Sequence, residues 1–236
     1  THGGLLSRAL LYTKNFKGLV ISFPHDPNIA QSGQMHEGTT STKLGIEGIP
    51  SISEELCVDR DLAINSYNES RLHFNIISSS KSLDSINKAK NKNQQISCGT
   101  TIYHLLFDDE MLEDFNSNFK FMPPLRSKAD RNALLKGVKS GTIDIITSDH
   151  QPHEEEITEV EFTQTPFGCI GTQIAFPLAL THLKEFLGLE GIVQCMSINP
   201  RSILQTEIPI INEGHYADIT IFDPKKKWVF NKENNL

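Results

Sequence analysis

The chain has no apolar run approaching the roughly 20 residues that cross a bilayer, no C-x-x-C pair and no phosphate-cradling G-x-G-x-x-G or P-loop after any apolar stretch. The first absence excludes a membrane-spanning helix as a sequence expectation. The second excludes a structural zinc knuckle: Cys57, Cys98, Cys169 and Cys195 stand far apart, as suits reduced and mostly buried thiols. The third removes the usual signature of a nucleotide fold. Positive charge is also short. Lys and Arg number 22 against 29 Asp and Glu, for a formal net charge of −7, and no basic cluster alternates with aromatics, so no nucleic acid partner is expected. Thr1-His2-Gly3-Gly4 does not open a basic and then apolar leader. No membrane association is expected, and the expected compartment is the cytoplasm.

What is present is enough for one sizeable core: 236 residues, 38% of them hydrophobic. Helical and strand-like segments alternate along it. Leu5, Leu6, Ala9, Leu10 and Tyr12 form a helical stripe, followed by the apolar run Gly18 to Phe23 that stops at Pro24. Residues 27–50, rich in Gly, Ser, Thr and Gln without a period, suit a long functional loop or mobile lid. A helix is predicted over 54–67, a strand over 71–77, and N-cap chemistry at Ser78-Ser79-Ser80. Further strands are predicted over 95–101 and 142–147, with helices over 107–115, 128–139, 174–187 and 189–196 and a short one from Asn199-Pro200. From Ile208 the pattern changes to alternating strands, 217–222 and 228–230. The domain reading is therefore a β/α part over 1–207 and a small β unit over 208–236. Repeated β-to-α steps favour a parallel α/β architecture and leave barrel and doubly wound sheet open.

The densest chemistry lies in Ile143 to His153, an apolar strand ending in Thr147-Ser148-Asp149-His150-Gln151-Pro152-His153. In a β/α barrel, residues just past a strand's carboxyl end line the mouth, where an Asp can hold a metal or take a proton. Asp149 is thus the candidate catalytic acid and a candidate metal ligand.

Gly48-Ile49-Pro50 with Glu54-Glu55 and Arg60-Asp61, Pro123-Pro124-Leu125-Arg126 with Asp130-Arg131, Gly141-Thr142-Ile143-Asp144, Thr147-Ser148-Asp149-His150 with Pro152-His153, Pro166-Phe167-Gly168 with Gly171, Asn199-Pro200, and Gly214 with Ala217-Asp218 occur together in this order. The combination resembles dihydroorotases of the multifunctional-complex type, within the amidohydrolase superfamily. The resemblance implies the C-terminal part of a (β/α)8 TIM barrel with a metal centre at its mouth, plus strands of a composite β-sandwich. It further implies interconversion of carbamoyl aspartate and dihydroorotate, with zinc as cofactor, Asp149 shuttling a proton, His153 contacting a substrate carboxylate, and the loop containing Pro166 and Gly168 closing over the substrate.

Departures from the family pattern shape the functional expectation. The family's first-strand His-x-His pair has no counterpart in the 236 residues. Thr1 to Leu10 resembles the segment after the fourth barrel strand. The fifth- and sixth-strand metal histidines align with Phe23 and Ile76, and a substrate-contacting asparagine aligns with Met122. Phe and Ile offer no lone pair to a metal. His25 is a weak substitute ligand, and His73, on the opposite strand face from Ile76 by simple alternation, a weaker one. His104 is expected to bond locally, and His2, His36, His182 and His215 to face solvent. The expected function is a catalytically degenerate dihydroorotase-like protein of pyrimidine biosynthesis that binds no cofactor and scaffolds aspartate carbamoyltransferase. The alternatives are an active zinc-dependent enzyme whose missing half is supplied by further chain, and a module that binds a small carboxylate or imide without turning it over. A half barrel would expose sheet edges and apolar surface, so a longer chain, a completing partner or a homo-oligomer is expected.

Overall fold

Four short segments become one parallel sheet, and helices return the chain between them. In the computed structural model, which describes residues 2–92, 94–231, 233 and 235, helix α1 (Gly3–Lys14) leads into β1 (Leu19–Ser22), followed by α2 (Pro27–Ala30), β2 (Met35–His36), α3 (Thr39–Leu44), β3 (Gly48–Ile49) and α4 (Ile52–Asn68). Next come β4 (Arg71–Phe74), α5 (Ser80–Lys90), β5 (Ile96–Thr101), α6 (Ile102–Leu106), α7 (Lys128–Ser140) and β6 (Ile145–Thr147). The remaining helices are α8 (Glu155–Thr158), α9 (Ala175–His182), α10 (Lys184–Val193) and α11 (Asn199–Leu204). The main sheet runs β1-β4-β5-β6, parallel at every pairing. Among the described residues strand order follows chain order without the reversal that marks a topological switch point, as in an arc of a β/α barrel.

Local chemistry sets the element boundaries. Ser79 Oγ accepts from the Lys81 N–H at the start of α5, Thr101 Oγ1 from the His104 N–H at the start of α6, and Ser127 Oγ from the Asp130 N–H at the start of α7. Gly141 ends α7 in the left-handed region at φ 77°, open to glycine at little cost. The core lies between the sheet and its helices, where Leu72, Phe74, Cys98 and Ile146 meet Leu10, Val58, Leu83, Ile86, Leu134 and Val138. Each large side chain buried there contributes about 1.5–3 kcal/mol. Ser22 points to the helix layer, its Oγ donating to Asp61 of α4 at 2.7 Å. By alternation Ile21 and Phe23 face the barrel interior, where they are 56% and 38% exposed.

Four expectations are corrected. Residues 27–50 are not a mobile loop: they form α2, α3 and the parallel pair β2-β3, seated on buried Met35, Leu112 and Phe162. The α-helix expected over 107–115 does not form: α6, capped by Thr101, ends at Leu106, Phe107 is extended at φ −119° and ψ 158°, and a 3-10 turn, Asp109–Leu112, follows. The helix expected over 174–187 ends at His182, α10 bends at Gly188, whose φ is 73°, and a π-helical turn, Gln194–Ile198, precedes α11. Residues 217–222 and 228–230 form no strand among the described residues, and Tyr216 and Ile221 are more than nine-tenths exposed. Two short strands without a sheet to lie on are not stable alone. Thr1 and Asn93 of the expected β/α part, and residues 232, 234 and 236 of the expected β unit, lie outside the described residues. No helix among those described is long and apolar enough to cross a membrane.

Candidate active site at the carboxyl end of the sheet

Asp149 stands two residues beyond β6, its backbone in the left-handed region at φ 44°, which Asp tolerates better than most side chains. Its N–H donates to Thr147 Oγ1 at 3.3 Å, and its Oδ1 accepts from the Gln151 side-chain amide at 3.0 Å. Burial pushes the carboxyl above its ordinary value, and the Gln151 amide pulls the other way. A raised folded-state value means that the folded chain holds the proton more tightly than the unfolded one. Stability from this group is therefore greatest at low pH and falls as pH rises from the unfolded value through the folded one. Asp149→Asn keeps the acceptor for Gln151 and is expected to raise Tm modestly at pH 7 while leaving it unchanged near pH 3. Thermal melts at the two pH values check this, and an unchanged Tm at pH 7 would refute it.

The segment after Asp149 is sewn to the loop containing Pro166, Gly168 and Gly171. Gln151 N–H donates to the Cys169 carbonyl at 2.8 Å. His150 Nδ1 accepts from the Gly171 N–H at 3.0 Å and faces the Thr172 N–H at 3.4 Å, so its ring proton sits on Nε2. His153 Nε2 donates to the Phe167 carbonyl at 2.8 Å, which fixes the ring against the loop. From the other side Tyr103 Oη donates to the Ile170 carbonyl at 2.6 Å. Gly168 adopts φ 125°, and a Cβ there would lie 2.7 Å from the Gln151 side chain and 3.0 Å from His153 Nε2. The structure thus brings Asp149, His153 and Gly168 into one hydrogen-bonded assembly, with Pro166 half-buried in the same loop.

Behind the mouth lies a buried ionic network. Glu54 and Arg126 are 1% and 3% exposed, with Arg126 Nη2 4.0 Å from Glu54 Oε2. The Glu54 carboxylate accepts the Ser78 N–H at 3.1 and 3.2 Å, the Ser79 N–H at 3.0 Å and the Ser78 hydroxyl. It fills the amino end of α5, where backbone donors and the helix dipole favour an anion. Arg126 donates to Ser78 Oγ, to the Ile49 carbonyl and to His36 Nδ1 at 3.0, 2.8 and 3.3 Å. His36, expected in solvent, is instead drawn inward, and burial together with the Arg126 charge lowers its pKa to about 4. The sequence pattern sets Ile49 and Glu54 in one motif and Arg126 in another, and does not show that the three meet. An Arg after Pro-Pro-Leu and an acidic pair in a helix's first turn were the available signal.

The strand after Phe74 carries a second surprise. Leu72 N–H donates to Gln95 O, but Ile77 N–H donates to Gly99 O, so one extra residue has entered the ladder as a bulge. Ile77 takes the place in the helix-side core, and Ile76, 1% exposed, shifts toward the face that carries His73. Simple alternation had separated those two. His73 Nδ1 sits 2.8 Å from Ser97 Oγ and burial lowers its pKa to about 4. His104, also lowered to about 4 by burial, bonds Thr101 Oγ1 and the Pro123 carbonyl at 2.7 and 2.9 Å.

The zinc that the family resemblance implies finds a poor donor set. His25 is half-buried, its ring centroid 6.0 Å from that of Phe23, and burial, then the Arg126 charge, lowers its pKa. Among the described residues no three His, Cys, Asp or Glu side chains converge on a point where they could hold a metal ion, whereas a zinc site takes about three or four such ligands. The described residues of this chain do not fit a zinc centre of their own.

A parallel arc with its helices outside and a strand-end Asp at its mouth defines the class: the TIM-barrel amidohydrolase fold. Solved structures share it. L-hydantoinase (dihydropyrimidinase) from Arthrobacter aurescens superposes with a TM-score of 0.77 at 20% identity over 87% of this chain and 47% of that one, and dihydroorotase from Saccharomyces cerevisiae with 5-fluoroorotic acid at 0.69 and 15%, over 86% and 54%. In sequence the chain is, more narrowly, a partial dihydroorotase-type chain. It is 37% identical to the dihydroorotase of Acetivibrio thermocellus over 95% of its own length and 53% of that protein's. It is equally identical to that of Syntrophus aciditrophicus over 98% and 54%. The chain spans about half the length of these curated relatives. No family model matches it.

Proposed function

We propose that the chain is the C-terminal part of a dihydroorotase-like protein of pyrimidine biosynthesis, degenerate at its metal centre, that serves as a scaffold for aspartate carbamoyltransferase in the cytoplasm. The observation that carries degeneracy is the pair Phe23 and Ile76: one follows β1, the other sits in the bulge after β4, at the two places where the resemblance calls for metal histidines. Residues 208–236 are assigned to a composite β-sandwich, and exposed Ile21 and Phe23 to a barrel interior completed by further chain, by a partner or by a second copy. In this reading Asp149 and His153 are inherited site residues whose remaining work is to anchor the loop around Pro166 and Gly168.

A second reading, an active cyclic amidohydrolase, is favoured by Asp149 itself, whose half-buried carboxyl with its raised proton affinity suits a proton shuttle. Zinc would then be held jointly with donors from outside this chain, with Asp149 and the weak candidate His25 as its only contributions. Zinc analysis of the protein purified together with whatever further chain or partner completes its barrel, alone and mixed with aspartate carbamoyltransferase, separates the readings when paired with ring opening of dihydroorotate. The scaffold reading expects less than about one zinc in ten chains, no ring opening, and co-elution with the carbamoyltransferase. Two zinc per chain with turnover would overturn it.

A further inference from the structure

Lys120 is 1% exposed, yet no carboxylate among the described residues pairs with it. Lysine is almost never fully buried without such a partner. What surrounds it is one loop. Its Nζ donates to the Phe162 and Thr165 carbonyls, both at 2.6 Å. The same nitrogen lies 4.9 Å from the ring centroids of both Phe162 and Phe167. Its own carbonyl accepts the Gly168 N–H at 2.9 Å. The loop is thus gripped at four of its residues by one side chain and its backbone. Phe167, one of the two rings that face the Nζ, is also the residue whose carbonyl takes the His153 ring.

We propose that Lys120 is the positioning residue of the loop Phe162 to Gly168, holding it closed and thereby fixing the His153 ring beside the Asp149 segment. The functional consequence rests on the reading of Asp149 and His153 as site residues; the grip itself does not. Two N–H donors suffice for two carbonyls, and both the ammonium and the neutral amine carry them. Burial lowers the lysine to about 8. The titratable groups on the segments packed around it are Glu161, which is exposed, His153, committed to Phe167, and Tyr103 and His104 of α6, packed on Phe121; none forms an ion pair with it. With the loop open, the side chain is solvated and regains an ordinary lysine value near 10.5. The closed state therefore binds fewer protons between those two values, and closure strengthens as pH rises through that window.

Cleavage by a glutamyl endopeptidase after Glu161, whose bond to the buried Phe162 is shielded while the loop is closed, reports loop opening. Rates taken as ratios between variants cancel the enzyme's own pH dependence. Lys120→Met is expected to be cut at least fivefold faster than the wild type at pH 9. The Met-to-wild-type ratio should grow between about fivefold and tenfold from pH 7.5 to pH 9. Lys120→Arg keeps the donors but cannot lose its charge, so the Arg-to-wild-type ratio should grow in the same way, which covers the case in which the Met variant does not fold. A lysine that merely fills space would give ratios flat with pH, and that result, or a Met variant cut no faster than wild type, would overturn the proposal. The assay needs neither metal nor turnover, so an inactive or an active chain leaves its outcome untouched.

Discussion

Glu54→Leu is expected to cost about 4 kcal/mol, because breaking a buried pair strands the remaining charge. Arg126 is 3% exposed and burial already draws its guanidinium below the ordinary value, with Glu54 the leading influence the other way. The substitution also orphans the Ser78 and Ser79 N–H groups at the amino end of α5, each an unsatisfied donor. For a chain of this size the loss corresponds to a fall in Tm of roughly 10 °C. The double variant Glu54→Leu with Arg126→Met should recover part of it, since replacing both members of a buried pair is far cheaper than removing one. Additive losses in a denaturation cycle would show that the two side chains act separately and that Glu54 matters only as a helix cap.

That network marks where the sequence stopped being readable. β1 and β6 could be anticipated because each is part of an apolar run bounded by Gly, Pro or Ser, and a buried parallel strand needs little else locally; β4 and β5, Arg71–Phe74 and Ile96–Thr101, mix polar with apolar residues and were legible by their place in the β-to-α succession. Residues 27–50 misled because their order comes from contacts made by side chains far along the chain. Arg126 reaches the Ile49 carbonyl, Phe162 covers Met35, and neither contact leaves a period in the segment itself. The bulge that moves Ile76 onto the face of His73 was invisible for a related reason: alternation predicts faces only while the ladder stays in register. Asp149 was legible as a candidate because an apolar strand ending in an acid is a local pattern. Lys120 was not, since a lysine among Asn118, Phe119 and Phe121 reads as surface until the Phe162 to Gly168 loop folds over it. The tail was legible as strands by alternation but forms none, because a strand needs a neighbour and alternation supplies only one half of a pair.

Gly171→Ala should be almost as damaging as Gly171→Val, about 3 kcal/mol in each case, because the first added carbon already has no room. A Cβ at this position would lie 2.4 Å from the Ser148 carbonyl oxygen and 2.9 Å from Tyr103 Oη. The backbone carbonyl cannot give way without moving the turn that carries Asp149, so the loop must retreat instead. Retreat breaks the Gly171 N–H bond to His150, the Tyr103 bond to Ile170 and the Gln151 bond to Cys169, each contributing about 1 kcal/mol, beside a strain of about 1–3 kcal/mol for any part not relieved. A loss that scaled with side-chain volume, small for Ala and large for Val, would locate the contact in a deformable cavity instead. The same variants separate anchor from reactant at Asp149. If the acid is an inherited anchor, Gly171→Ala lowers Tm and raises loop cleavage while carbamoyltransferase binding stays as in the wild type. If the mouth still contacts a ligand, affinity for dihydroorotate measured by calorimetry falls with the loop, and the scaffold reading loses its claim that these residues no longer serve a substrate.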